Sequence, residues 1–143
     1  MNLSMDKMGY CEVIYGPMKS GKTSRLLELY KQFKFCEVPV MVINHCMDKR
    51  YSDTLLSSHD KIMIPCIHAE KLADVIDFNS GEGAHNWEFL AATVILINEA
   101  QFFEDIVEWV TMAVETYNKS VYVCGLNSDF QRKPFGNWLD LEL

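Results

Sequence analysis

This 143-residue chain is short of positive charge, of paired cysteines and of long apolar runs, and each shortage removes a class of function. Thirteen Lys and Arg stand against twenty Asp and Glu, a formal charge of −7 at pH 7. Coating a nucleic acid rests on neutralising many phosphates with cations, so this balance argues against a nucleic-acid partner. A small anionic ligand needs only a few local positive groups and stays open. The five cysteines, Cys11, Cys36, Cys46, Cys66 and Cys124, are odd in number and never form a C-x-x-C pair. Reduced thiols are therefore expected, not a disulfide framework or a zinc site. His45, His59, His68 and His85 show no metal-ligand spacing and read as ordinary surface or core histidines. No apolar run approaches the roughly 20 residues of a membrane span, and no charged-then-apolar signal pattern opens the sequence. A soluble cytoplasmic protein without a membrane partner is the expectation.

What is present is 49% hydrophobic and 23% charged residues, enough for one compact domain over residues 1–143 and too little for two. Residues 1–8 lack periodicity and read as a loose leader. Gly16-Pro17-Met18-Lys19-Ser20-Gly21-Lys22-Thr23 then fits G-x-x-x-x-G-K-[ST] at every fixed position. The chemistry needs these residue types because backbone NH groups must wrap a triphosphate tail at close range, and a Cβ at Gly16 or Gly21 would obstruct the wrapping. Lys22 would reach the β- and γ-phosphates, and the Thr23 hydroxyl would ligate Mg²⁺. The motif demands a strand before it and a helix after it. Residues 10–15 (YCEVIY) are an apolar, partly β-branched run, and Leu26, Tyr30 and Phe33 recur at helical spacing beyond Gly21. The helix would aim its free NH groups at the phosphate. A glycine turn before an ordinary helix is the plainer reading, and the complete motif with both flanks outweighs it.

Residues 38–43 form a second β-branched run, which completes a βαβ unit with a right-handed parallel crossover. Residues 44–60 turn polar and irregular and hold Asp48-Lys49-Arg50-Tyr51 and Ser58-His59-Asp60; taken alone, Asp48 and Arg50 read as a solvated surface pair. Residues 62–67 predict a short strand, and 68–78 a short helix with Leu72, Val75 and Ile76 apolar. Ser80-Gly81-Glu82-Gly83 is a turn, and residues 87–90 lead into the next strand and pack against it. Residues 92–97 (ATVILI) read as a strand buried on both faces. Asn98 and Glu99 stand at its carboxyl end, where open α/β sheets keep their ligands. Of that pair only Glu99 can take a proton. A helix with Ile106, Val110, Ala113, Val114 and Tyr117 on one face follows, then a strand over 120–124 ended by Gly125. Phe130-Gln131-Arg132-Lys133-Pro134-Phe135-Gly136 mixes cations with aromatics, which suit either a surface loop or stacking on a flat base. The fold class is α/β, a mostly parallel sheet with helices on both faces, of the P-loop NTPase (RecA-like) kind.

Three separated stretches together resemble the cellular and viral type II thymidine kinases. They are Gly16 through Thr23, Glu99-Ala100-Gln101-Phe102-Phe103 with Asp105-Ile106-Val107-Glu108, and Phe130 to Gly136, with Asp48-Lys49-Arg50-Tyr51 and His59-Asp60 between them in order. The resemblance implies transfer of the γ-phosphate of ATP to the 5′-hydroxyl of thymidine, with Mg²⁺, in deoxynucleoside salvage. It implies that Glu99 is the general base, that Lys22 neutralises the transferring group, and that Thr23 binds Mg²⁺. By position it gives ATP contacts to Gly16, Pro17, Met18, Lys19, Ser20, Gly21, Lys22, Thr23, Asp48, Lys49, Arg50, Asn98, Glu99, Ala100 and Gln101. Met18, Phe102, Leu126 and Phe130 fall where the family holds its deoxynucleoside, although core packing also explains Met18 and Leu126. The resemblance also implies a homo-oligomer, since the family commonly forms tetramers, and the family continues past this point into a zinc-bearing segment with paired cysteines and a base-binding loop. The expectation is a fragment or a reduced member without that segment. Asn98 stands where the family usually has Asp, and Lys19 where it has an aromatic or small residue. The alternatives are a nucleotide-binding subunit with weak or no catalysis and an unrelated P-loop ATPase.

Overall fold

The computed structural model describes residues 9–16, 22–45, 55–57, 63–80 and 86–126. Five strands form one parallel sheet: β1 (Tyr10–Gly16), β2 (Val40–His45), β5 (Ile67–Ala69), β6 (Val94–Asn98) and β7 (Ser120–Leu126), in the spatial order β1-β7-β6-β2-β5. A separate antiparallel pair joins β3 (Leu55–Ser57) to β4 (Met63–Pro65). The helices are α1 (Lys22–Phe35), α2 (Trp87–Ala91) and α3 (Ile106–Glu115).

The period-2 alternation of each strand divides the core into two layers. Val42, Val94, Leu96 and Cys124 face Leu26, Leu27 and Leu29 of α1. Their sequence neighbours Met41, Ile43, Ile95, Ile97, Val121 and Val123 face the other way, onto Ile106, Trp109, Val110 and Ala113 of α3. Burial on both faces is why β6 reads as an unbroken apolar run, and all five of its residues are buried. This is the expected α/β architecture, with β1 and β2 running parallel in one sheet on either side of α1 in the sequence, and β7 and β6 lying between the two strands.

Two local expectations are corrected. The predicted helix over 68–78 is instead the end of β5 followed by 3₁₀ turns at Leu72–Asp74 and Phe78–Ser80. Its backbone is satisfied from outside: the Asp105 carboxylate accepts from Leu72 N at 3.1 Å and Ala73 N at 2.9 Å, and Trp109 Nε1 donates to Ile76 O at 3.0 Å. With those partners supplied by the α3 region, a full helical ladder is unnecessary. The run expected as one strand over 62–67 breaks at Cys66, with β4 pairing to β3 and β5 joining the main sheet. The 87–90 segment does pack beside the following strand, through Phe89, which shares a core cluster with Ile95 and Ile97, and not through Trp87. Trp87 starts α2 at 84% exposure, and Phe89 is the buried residue of that helix, whose N-terminus is capped by Asn86 Oδ1 accepting from Phe89 N at 2.9 Å.

At the far end of α2, the buried Lys119 ammonium donates to the carbonyls of Phe89 and Ala92, each at 2.6 Å, and lies 4.6 Å from the centre of the Phe89 ring. Burial pulls its pKa down. The carbonyls and the ring favour the charged form and make the burial tolerable.

Candidate functional site

Because the main sheet is all parallel, every strand delivers its carboxyl end to the same edge, and strand register fixes what meets there. Gly16, the first motif residue, pairs with Leu126, while Asn98 pairs with Asn44, and Asn44 with His68. Ile97 is level with Val123, so Glu99 leaves the sheet level with Gly125, one position before Leu126. The entry to the phosphate loop, the Asn98-Glu99 pair and Leu126 thus share one edge.

Asn98 continues the alternation of Val94 and Leu96 and lies on the face covered by α1. It is 1% exposed, and its Nδ2 donates to Asn44 Oδ1 at 3.2 Å. Asn44 is itself fully buried, and its Nδ2 donates to His68 Nε2 at 3.3 Å. An amide NH₂ can only donate, so Nε2 accepts and the imidazole proton sits on Nδ1, which lies 3.8 Å from Cys66 Sγ. A polar row therefore crosses three parallel strands just beyond the apolar Leu96 and Val42. Buried amides must be partnered, and this chain of bonds partners them.

Glu99 takes φ 58° and ψ 43°, the left-handed region. Glu37 and Asn118 also have positive φ, but both follow a helix end, where such a residue ordinarily closes the last turn. Glu99 instead joins a strand to a 3₁₀ turn, Ala100–Phe102, at a conformational cost of roughly 1–2 kcal/mol. The kink turns the chain sharply off β6, and Ala100 and Gln101 become buried behind it. That turn packs against β7 at Gly125, where an added Cβ would collide with Gln101 Oε1 and stand 3.2 Å from Ala100 N. A side chain here would have to displace the Gln101 amide and press on the backbone of the turn.

Phe102 is 36% exposed at this edge, and its ring centre lies 5.3 Å from that of His45, the last residue of β2. Phe103 meets the same imidazole edge-on at 4.7 Å. Burial lowers the His45 pKa, partly offset by Glu70 through its backbone and its charge, so His45 is uncharged at neutral pH. It is a core histidine. Among the described residues no cluster of three His, Cys, Asp or Glu side chains is arranged to hold a metal.

The expected ATP-contact residues divide accordingly. Gly16 ends β1, Lys22 and Thr23 begin α1, and Asn98, Glu99, Ala100 and Gln101 gather at the carboxyl edge. The side chains of Lys22, Thr23 and Leu126 lie outside the described residues, as do Pro17, Met18, Lys19, Ser20, Gly21, Asp48, Lys49, Arg50 and Phe130. The sequence reading missed Asn44 and His68. A signal existed: an apolar strand ending in Asn44-His45 repeats the pattern of β6 ending in Asn98-Glu99.

Residues 9–142 match the family model described as thymidine kinase. The chain is 38% identical over 133 residues to the cytosolic thymidine kinase of Homo sapiens, covering 93% of this chain and 52% of that protein. Against the cytosolic thymidine kinase of Gallus gallus the identity is 36% over 133 residues, covering 93% and 54%. Against the thymidine kinase of Variola virus it is 38% over 134 residues, covering 93% and 68%. The chain spans about half the length of the cellular relatives it matches.

Proposed function

Because the chain belongs to the thymidine kinase family, we propose that it transfers the γ-phosphate of ATP to the 5′-hydroxyl of thymidine, giving thymidine 5′-monophosphate. The observation that carries the reading is Glu99, a carboxylate held in a left-handed kink at the carboxyl end of β6, on the edge to which β1 delivers Gly16. In this reading the Glu99 carboxylate accepts the proton of the attacking hydroxyl. The kink fixes the backbone from which that side chain leaves the sheet edge. Backbone NH groups from Gly16 to Thr23 wrap the β- and γ-phosphates, α1 adds the positive end of its dipole, and Lys22 neutralises charge on the transferring group. Asp48, Lys49 and Arg50 add contacts to the phosphates, and Ala100 and Gln101 flank the nucleotide. Phe102, beside Met18, Leu126 and Phe130, forms the apolar side of the thymidine pocket.

Mg²⁺ suits this donor set. It is satisfied by one or two protein oxygens together with substrate phosphates and water, and so does not require the three-residue cluster that the described residues lack. Thr23 Oγ1 and the carboxyl edge of β6 would hold it, and when bound it supplies charge neutralisation between the phosphates. Asn98 contributes no negative charge there. We extend the reading to a cytoplasmic homotetramer without nucleic-acid or membrane partners, with no zinc site among residues 1–143. No helix among the described residues is long and apolar enough to cross a membrane.

The test is steady-state kinetics of Glu99→Gln. The expected result is a kcat lower by roughly 10²–10⁴-fold, the usual worth of a positioned general base, with the thymidine KM little changed. A kcat equal to that of the native chain would overturn the assignment of Glu99.

A further inference from the structure

His45 ends β2 level with Ala69 of β5, so the chain leaving β5 passes beside its ring. A hydrogen bond with the Glu70 backbone favours the charged imidazole against its burial. That bond therefore runs from a ring N–H to the Glu70 carbonyl, since an acceptor stabilises the protonated ring. The same imidazole meets both rings of the Phe102-Phe103 pair that follows Glu99. Phe103, 2% exposed, approaches it edge-on at 4.7 Å, and the more exposed Phe102 lies tilted by 40° at 5.3 Å. Burial says which ring holds which. His45, at 4% exposure, and Phe103 are enclosed by the core, where close packing leaves little room to turn. The backbone of Phe102 is set by its 3₁₀ turn, with Phe102 N donating to Glu99 O at 3.2 Å. Its side chain reaches solvent, and an exposed ring changes rotamer on the order of nanoseconds or faster unless a neighbour holds it.

We propose that His45 is a positioning residue for the nucleoside: its imidazole, tied to the Glu70 carbonyl and backed by Phe103, sets the rotamer of Phe102 and with it the wall that thymidine meets. The inference rests on the kinase reading above, in which Phe102 lines the thymidine pocket. A wall set in advance spares the ordering of that side chain when the nucleoside binds, so the benefit falls on thymidine affinity. An imidazole combines an aromatic face with a ring N–H, and neither glutamine nor phenylalanine offers both. His45 also stands three residues before Asp48, assigned above to the phosphates. A general disturbance at the end of β2 would therefore raise the ATP KM, whereas loss of the Phe102 support raises the thymidine KM.

Steady-state kinetics with each substrate varied in turn separate the two features of the imidazole. His45→Gln keeps an N–H for the Glu70 carbonyl and removes the aromatic face, while His45→Phe keeps the face. The thymidine KM is expected to rise roughly 2–12-fold in His45→Gln, the worth of one aromatic pair, with kcat and the ATP KM unchanged. His45→Phe should bring the thymidine KM back to within about twofold of the native value. A second measurement needs no variant: with ¹³C-labelled phenylalanine, the native chain should show NOEs between the Phe102 and His45 rings, and the Phe102 ring should shift on adding thymidine. A thymidine KM unmoved in His45→Gln, an ATP KM that rises in its place, or a Phe102 ring without NOEs to His45 would overturn the inference and leave the kinase reading standing. A native chain that transfers no phosphate to thymidine would overturn that reading, and the inference with it.

Discussion

Replacing Asn98 by Asp, the residue the family usually carries there, tests the buried polar row directly. In the native chain Asn98 Nδ2 donates to Asn44 Oδ1 at 3.2 Å, and Asn44 Nδ2 donates onward to His68 Nε2. A carboxylate at position 98 sets two acceptors against each other in a site only 1% exposed. The row then has two courses. Left as it is, it loses one buried hydrogen bond and leaves an acceptor unsatisfied, at about 1–3 kcal/mol. Alternatively Asn44 turns over, gives its Nδ2 to the new carboxylate, and presents Oδ1 to His68, whose proton must move to Nε2 and away from Cys66. Either way Asn98→Asp is expected to lower stability in the absence of metal by about 1–3 kcal/mol, a Tm shift of roughly 3–12 °C for a chain of this size. Burial without a cation raises the new carboxyl's pKa, and an acid with a raised folded pKa costs stability above that value and nothing below the unfolded one. The deficit against the native chain should therefore close as the solution is acidified through the carboxylate range. It should also narrow on adding Mg²⁺. Thermal denaturation with and without Mg²⁺, together with ¹⁵N chemical shifts of the His68 ring, reads all of this. An unchanged metal-free Tm with His68 still protonated on Nδ1 would refute the connected row.

Gly125→Ala drives a methyl group into the Ala100–Gln101 turn and is expected to cost about 1–3 kcal/mol by denaturant titration. Because that turn directly follows Glu99, phosphoryl transfer should fall even at temperatures where the variant remains folded; full activity in the folded variant would argue that the turn does not position Glu99. His45 has its pKa lowered by burial, so its contribution to stability is complete above the unfolded value near 6.5 and is lost as pH falls through the folded one. Denaturation midpoints should decline over that acid window less steeply in His45→Gln than in the native chain, and parallel profiles would contradict the assignment.

The main architecture was legible because each of its signals is local. YCEVIY and ATVILI read as strands from their own composition, α1 and α3 show their apolar stripes within a few turns, and Asn98-Glu99 could be placed at a strand end by counting. What escaped depended on partners distant in sequence. The 3₁₀ turns at Leu72–Asp74 and Phe78–Ser80 replace a plausible helix because Asp105 and Trp109, about 30 residues later, take up their backbone groups. The row from Asn98 through Asn44 to His68 exists only once β6, β2 and β5 are in register, a spatial order that no window of sequence contains. The left-handed backbone of Glu99 was equally invisible, since nothing in a glutamate announces a positive φ.

The most direct measurement of the central claim is transfer of label from γ-³²P-ATP to thymidine by the purified chain, with ATP hydrolysis followed in parallel with and without nucleoside. The account predicts labelled thymidine 5′-monophosphate, ATP consumption that depends on thymidine, and loss of both in Glu99→Gln and Lys22→Ala. ATP turnover indifferent to thymidine, or transfer untouched by either substitution, would contradict it.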